Sequence, residues 1–480
     1  MAIQQHRNYI NGKFVDRANA DMIPVLNPST EKVISEVPDS SAEVVNDAVA
    51  AAKAAQDEWR KLPAIQRANY LRQISAKIRE NVPALAKALT EEQGKVQTLS
   101  EVEIAFTADY IDYMAEWARR IEGEIINSDR PGENIFLFRQ PVGVVAGILP
   151  WNFPFFLIAR KLGPALVTGN TLVLKPSTDT PNNAAMFVDL LDQTDVPKGV
   201  INVVYGRGST TGNALCDNPD VGLVSFTGSV EIGSRIMGAC AKNITKVNLE
   251  LGGKAPAIVM ADADIDKTVA AVKASRVINT GQACNCAERV YIDRRVEDEF
   301  ITKFSKAMSE TKYNDPGKVR DLDMGPMINK AAQKTVDDMV KRAVKDGAEL
   351  VTGGSMSDVD GKGYFFQPTV LRNCEQSSEI MQEEVFGPVM PINTFDSLDE
   401  AIQRANDSKY GLTSSIYTRD IGTAMRACND LKFGETYINR EHFEAMQGFH
   451  AGVRQSGIGG ADGKHGLYEN TETHVVYLQS

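Results

Sequence analysis

From residue 142 onward, short β-branched runs alternate with helical segments: "GVVAGIL", "NTLVLK", "VINVVYG", "VGLVSFTG" and "TKVNLEL". Parallel strands need a long crossover between neighbours, so this rhythm predicts a parallel sheet with helices on both faces. A second α/β stretch runs from about 255 to 450, opening with "APAIVM" and "DADIDKTVAAVKASRVI". Upstream, residues 41–122 carry apolar side chains at helical spacing and predict a helical block. "ENIFLFRQ" at 133–140 and the terminal "HVVYLQS" read as strands with no neighbour in sequence. Unpaired edges invite another chain, so a homo-oligomer is expected.

The 480 residues, 43% of them apolar, suffice for one large or two to three ordinary domains. A net charge of −11 disfavours nucleic acid and anionic membrane as partners. The uncharged stretch Pro141–Ala159 is interrupted by Pro150, Asn152 and Pro154. Each half is too short to span a bilayer and is expected in the core. "MAIQQHRNYINGKF" has no apolar region of the kind a signal peptide requires. Six cysteines without framework spacing point to reduced thiols and a cytoplasmic protein.

Ligands of open α/β sheets sit beyond the carboxyl ends of the strands, where three loops stand out. "VLKPST" places Lys175 just past a strand, and "YGRGSTTG" offers Gly206 and Gly208 with the next glycine, Gly212, one residue late for G-x-G-x-x-G. "SFTGSVEIG" spaces Gly228 and Gly233 like a phosphate loop, but Ser234 and Arg235 do not continue that motif. A glycine turn feeding a helix still presents free N–H groups to an anion, and Ser229 would add a donor. The same turns can simply join strand to helix.

In "TGQACNCAERV", Cys284 and Cys286 stand one residue apart. A metal would need further ligands, which neither a nearby histidine nor a second close cysteine pair supplies, so no metal is expected. A disulfide across two positions would be badly strained. Nucleophile and buried core residue remain open. Glu250 ends the apolar strand of "VNLELGGKAP", where a raised pKa would suit a general base. Asn152 in "PWNFP" is a rigid amide that could serve an oxyanion or merely a turn.

Together with "LVLKPS", "FTGSVEIG", "GQACNCAER", "EEVFGPV" and "YGLTSSIYT", these segments resemble the aldehyde dehydrogenase superfamily along essentially the whole chain. The resemblance implies a Rossmann-like cofactor domain (1–122 and 143–252), an α/β catalytic domain (253–455) and a small β oligomerisation arm (123–142 and 456–480), in a tetramer. It implies that Cys284 attacks the aldehyde carbon, that Asn152 and the Cys284 backbone N–H hold the oxyanion, and that Glu250 activates the water that hydrolyses the thioester. Cys286 is then a neighbour. For an NADP or NAD cofactor it implies contacts from Leu149, Pro150 and Trp151, and from Lys175, Ser177 and Thr178. Gly208 and Gly212, then Phe226, Gly228, Ser229 and Gly233, and finally Leu251, Glu384 and Phe386 complete that set. Many NAD-using members carry Glu where this chain has Thr178; without that carboxylate a 2′-phosphate is not repelled, and NADP use at least comparable to NAD is expected.

"AFTADYIDYMAEWARR", "NREHFEAMQGFHAG" and "SGIGGADGKHGL" are similar to the lactaldehyde/glycolaldehyde dehydrogenase group, although Thr178 and Val453 depart from its pattern. By that resemblance Asn285, Glu444 and His450 line the substrate mouth, where polar groups can bond an α-hydroxyl. The alternative is a succinate-semialdehyde or non-phosphorylating glyceraldehyde-3-phosphate type, with Arg440 as the anion anchor. An acylating, coenzyme A-dependent type usually lacks the base that Glu250 supplies.

Overall fold

The computed structural model describes residues 3–15 and 21–480; residues 1–2 and 16–20, assigned above to the cofactor domain, lie outside the described residues. The expected parallel sheet is present. Its five central strands are Ile201–Val203, Thr171–Lys175, Val144–Ile148, Val221–Thr227 and Lys246–Glu250, in that spatial order and mutually parallel. Antiparallel pieces close both sides: Asn8–Ile10 and Lys13–Val15 on one, Gly457–Ile458 on the other. The chain thus rejoins this sheet at 457, inside the segment assigned to the arm.

The first three strands in sequence build the sheet outward in one direction, and the last two build it in the other. The direction reverses between Val144–Ile148 and Val221–Thr227, and at such a reversal the loops part and leave a crevice. Immediately beyond these two strands come Leu149–Asn152 and Gly228–Ser229.

A second sheet of seven strands is parallel except at one edge, with Val389–Phe395, Ala287–Asp293 and Ala255–Val259 at its centre. Glu250 ends the first sheet and Ala255 starts the second, so the chain passes from the carboxyl ends of one to the amino ends of the other. Cys284 and Phe386 precede strands Ala287–Asp293 and Val389–Phe395 of the second sheet, which brings both to the same junction.

The helical block forms as Ala42–Lys61, Ala64–Glu80, Val82–Gln93 and Gln97–Glu116. Its apolar faces close over helix Pro154–Thr168, every residue of which is buried. The uncharged stretch Pro141–Ala159 therefore splits into a buried strand and the start of this helix. Among the described residues no helix is long and apolar enough to cross a membrane.

One expectation is corrected. The strands around 133–140 and at the carboxyl end are not without neighbours in the chain: Glu133–Pro141 pairs antiparallel with Thr471–Gln479 on one side and with Glu124–Asn127 on the other. Local sequence cannot reveal a partner so far along the chain. The arm remains open to solvent, with Ile125 and Tyr477 exposed.

Phe155 anchors the buried helix, its ring edge-on to Phe187 at 6.3 Å between centroids. Phe155→Ala is expected to cost about 3–5 kcal/mol in denaturant unfolding, with a matching fall in the midpoint.

Candidate active site

The turn before Cys284 is built from backbone that side chains normally avoid. Asn279, Thr280 and Gly281 have φ of +47°, +62° and +74°. Left-handed backbone at the two non-glycine residues costs on the order of 1 kcal/mol or more each, so the surroundings must impose it. Thr280 Oγ1 donates to the Gly325 carbonyl at 3.0 Å, and Gln282 Nε2 donates to the Asn279 carbonyl at 2.9 Å. Gln282 Oε1 accepts the Ile328 N–H at 2.9 Å. Arg276 Nη2 donates to the Gly281 carbonyl at 2.5 Å. A side chain at Gly281 would stand 2.3 Å from the Gly387 carbonyl oxygen, so only glycine lets the two loops meet.

The two cysteines that follow the turn have different surroundings. Cys284 is partly exposed and lines two cavities at once. Cys286 is fully buried, its thiol donating to the Ala283 carbonyl at 2.8 Å, and burial pushes it up to about 12. Asn152 shares the wall with Cys284 and lines both cavities. Its side-chain amide donates to the Gln282 carbonyl at 3.1 Å, while its backbone carbonyl accepts from Lys95 Nζ at 2.7 Å and from Asn279 Nδ2 at 3.0 Å. Lys95 is itself buried against Glu103, whose Oε1 accepts the Phe155 and Phe156 N–H groups at the start of the buried helix. The amide is rigid because a buried ion pair and a helix start both hold it.

The narrower cavity, about 70 Å³, has apolar walls from Leu99, Phe106, Phe153, Phe156 and Phe443 and a polar floor from Arg160, Asn285 and Glu444. Arg160 forks onto Asp462 at 3.1 and 2.7 Å and also donates to Glu444 Oε1 at 3.0 Å. Asn285 Nδ2 donates to the other Glu444 oxygen. His450 is placed differently from the expectation: it is buried behind this cavity and does not line it. Its Nδ1 meets Glu435 Oε1 at 2.5 Å, and its backbone is clamped to Ala461. Arg440 also stays outside, bonded to Glu441 and to the Phe443 carbonyl.

The second cavity, about 270 Å³, is lined by Pro150, Trp151, Gly228, Ser229, Leu251, Glu384 and Phe386 together with Glu250. Burial alone would raise the Glu250 carboxyl, as expected from its strand end. Instead Lys161 at 3.6 Å, Arg160 at 3.7 Å and His450 hold it below its ordinary value. This corrects the expectation of a raised pKa. Thr227 Oγ1 donates to Glu250 Oε2 at 3.1 Å, and Oε1 has no hydrogen-bond donor among the described residues. Across the cavity Glu384 accepts the Gly253 N–H at 2.9 Å; burial and the neighbouring Glu288 push it up to about 8. Trp151 and Phe386 meet edge to face.

The remaining expected cofactor residues support the cavity or extend beyond it. A Cβ at Gly228 would stand 2.4 Å from the Phe226 ring, and one at Gly233 2.5 Å from Leu251, so both glycines permit close packing beneath the cavity. Ser229 caps helix Val230–Cys240 by accepting the Ile232 N–H. The Leu149 N–H bonds the Lys175 carbonyl at 3.0 Å, tying the two strand ends. Lys175 is buried, its ammonium lowered to about 8 by burial and bonded to the Pro176 carbonyl. Gly212 faces the Lys175 side chain, Gly208 opens the same turn at the surface, and Ser177 and Thr178 lie half-buried just past the strand.

Several residues here escape a reading of the sequence. Arg160, Lys161 and Asp462 set the charge around Glu250, and Asp39 lies close enough to Lys175 to act on its charge. Asp39 is in turn paired with Arg207. One signal was available: Arg160 and Lys161 are adjacent cations in an otherwise uncharged apolar helix. Among the described residues no three His, Cys, Asp or Glu side chains are grouped as a metal site.

Comparison with known proteins adds four findings. The profile of the aldehyde dehydrogenase family matches residues 14–476. Lactaldehyde dehydrogenase of Escherichia coli is 59% identical over 476 residues, covering 99% of each chain. A crystal structure of lactaldehyde dehydrogenase from Escherichia coli superposes with a TM-score of 0.98 at 59% identity, covering 100% of both chains. A structure of 3,6-anhydro-L-galactose dehydrogenase in complex with NAP superposes at 0.96 with 42% identity, covering 99% of this chain and 100% of that one.

Lys95→Met strips Glu103 of its buried cation, so a loss of about 3–5 kcal/mol is expected in denaturant unfolding.

Proposed function

The chain belongs to the aldehyde dehydrogenase family, whose members oxidise aldehydes to acids with a nicotinamide cofactor, and on that premise we propose that its substrate is a small α-hydroxyaldehyde of the lactaldehyde or glycolaldehyde kind. The observation that carries this reading is the shared wall: Cys284 and Asn152 face the narrow polar-floored cavity and the wider one together, with Glu250 on the wider side.

The residues of the wider cavity fit a nicotinamide dinucleotide. Gly228 lines the cavity, the helix start at Ser229 presents N–H groups to a pyrophosphate, and Lys175 supplies a cation farther along. Glu384 and Phe386 flank the end nearest Cys284. When bound there, the cofactor accepts the hydride. NADP is used at least as well as NAD in this proposal, since Thr178 brings no charge and Arg207 offsets Asp39.

The chain's own groups divide the remaining work. The Cys284 sulfur bonds to the carbonyl carbon, and the developing oxyanion takes hydrogen bonds from the Asn152 amide and the Cys284 N–H. Loss of hydride leaves a thioester on Cys284. Glu250, kept ionised by Lys161 and Arg160, takes a proton from the water that attacks it, and sulfur leaves as the acid is released. The polar floor discriminates: Asn285 and Glu444 can bond an α-hydroxyl, which an apolar aldehyde would leave unpaired. An anionic aldehyde is disfavoured because Glu444 puts a carboxylate in the cavity, Arg160 is already shared by three carboxylates, and Arg440 lies outside. We place the protein in the cytoplasm, where six unpaired thiols are stable, and assign the arm to a homotetramer.

A steady-state panel of lactaldehyde, glycolaldehyde, glyceraldehyde and succinate semialdehyde, each with NAD and NADP, tests the assignment. The first two should give the highest kcat/KM, and Cys284→Ser should lose oxidation while still binding cofactor. Preference for succinate semialdehyde would reject the substrate class, and an NADP KM about a hundredfold above that for NAD would reject the cofactor reading. A second expectation concerns pH. Lys161→Met removes the cation that does most to keep Glu250 ionised, so the carboxyl must titrate higher and the acid limb of the kcat profile should move to higher pH.

A further inference from the structure

We propose that His442 is a positioning residue of the substrate floor: its Nδ1–H holds the Asn285 carbonyl and so fixes the Asn285 amide against Glu444, where an α-hydroxyl would bind. The proposal rests on the reading of Asn285 and Glu444 as the groups that recognise that hydroxyl.

The two floor residues come from distant parts of the chain. Asn285 directly follows Cys284, whereas Glu444 stands on the loop after strand Glu435–Ile438. Among the described residues, the backbone hydrogen bonds of 441–445 stay inside that loop. The Phe443 N–H bonds the Glu441 carbonyl at 3.1 Å, and the Gly448 N–H bonds the Ala445 carbonyl at 2.8 Å. Side chains must therefore anchor it. Glu444 accepts from Arg160 and from Asn285 Nδ2, and His442, two residues earlier, reaches the same asparagine at its other end. Phe443 between them lines the cavity. One short loop thus grips Asn285 twice, at its amide and at its carbonyl.

The ring is built for that bond. It is buried, stacks on Tyr437 with 5.2 Å between centroids, and places Nδ1 2.8 Å from the Asn285 carbonyl oxygen. A carbonyl can only accept, so the proton sits on Nδ1. Thr413 Oγ1, at the start of strand Thr413–Tyr417, donates to the same oxygen at 2.8 Å and lies 3.2 Å from Nδ1. Nε2 has no hydrogen-bond partner among the described residues, so the polar contacts of the ring all lie at its Asn285 end. Burial keeps the ring neutral, pushed down to about 4 although the Asn285 bond, Glu435 and Glu441 act upward; Arg276 adds to the effect of burial. Near neutral pH this histidine is a fixed donor, not an acid or a base.

The consequence for binding follows from where Asn285 stands. It lies between Cys284, which lines the cavity, and Cys286, which is in the core. The orientation of its carbonyl therefore governs where its side chain points. With the carbonyl held, the amide meets Glu444 before substrate arrives, and a hydroxyl finds a donor and an acceptor already in place. Without that hold the amide can swing away. An aldehyde that lacks the hydroxyl loses less by it.

The test is steady-state kinetics with lactaldehyde and propionaldehyde, which differ by the hydroxyl alone, at saturating NADP. His442→Phe keeps a ring against Tyr437 but removes the donor. Its lactaldehyde-to-propionaldehyde ratio of kcat/KM should fall about tenfold, through KM for lactaldehyde rather than kcat. His442→Asn, whose amide nitrogen can take the place of Nδ1, should recover most of the ratio. Adding His442→Phe to Asn285→Ala should lower the ratio no further than Asn285→Ala does alone. An unchanged ratio in His442→Phe, no recovery in His442→Asn, or losses that multiply in the double variant would each overturn the proposal. If His442→Phe does not fold, Thr413→Val removes the second donor on the same carbonyl, and a ratio unmoved there would overturn it equally. A wild-type ratio near one would reject the hydroxyaldehyde reading instead. The anchor is then read from amide hydrogen exchange of the peptide 440–447: faster exchange in His442→Phe but not in His442→Asn supports it, and equal exchange in all three proteins rejects it.

Discussion

Two adjacent cations on a helix without a solvent-facing side organise this molecule. Arg160 and Lys161 are fully enclosed, and leaving water costs each ion several kcal/mol unless carboxylates and hydrogen bonds replace it. The replacements come from distant parts of the chain: Glu250 from the first sheet, Glu444 from a loop after the second, and Asp462 from the segment beyond. Satisfying two buried cations therefore draws three regions into contact. The candidate water-activating carboxylate, the substrate floor and the helix leading from Asn152 become a single electrostatic unit.

A second unit lies across the junction. Glu288 accepts Arg276 and Lys254 on its two oxygens, as well as the Val385 and Phe386 N–H groups. Arg276 in turn holds the Gly281 carbonyl. The loop bearing Glu384 and the strained turn bearing Cys284 are thus tied to the same buried charges. This is why left-handed backbone at Asn279 and Thr280 can persist: relaxing it would unpair an arginine that water cannot reach.

What could be read from the sequence was what is local. Strands of the first sheet are β-branched runs, and Glu250 announces itself as the charge ending one of them. Cys284 stands out because cysteine is scarce and a Gly-Gln step precedes it. Partnership could not be read. The Arg160–Asp462 contact joins residues 302 positions apart, and without Lys161 and Arg160 beside it Glu250 looks like a carboxyl raised by burial rather than lowered by cations. His450 showed the same gap. Its type and neighbours placed it near the site, but only folding reveals Glu435 on its Nδ1 and Ala461 across its backbone. The pairing of the arm strands was hidden for the same reason.

That arm bears on the order of assembly during synthesis. Gln479 Nε2 bonds the Pro131 carbonyl 348 positions earlier, and the strand at 133–141 completes its ladder only with residues 471–479. A nascent chain emerging from the ribosome can build most of the first sheet while this ladder still lacks its second half. Gly457–Ile458 likewise reaches the edge of the first sheet late. Both seams can close only once residue 479 has been made, and until then the half-made ladder is the surface a chaperone would have to shield.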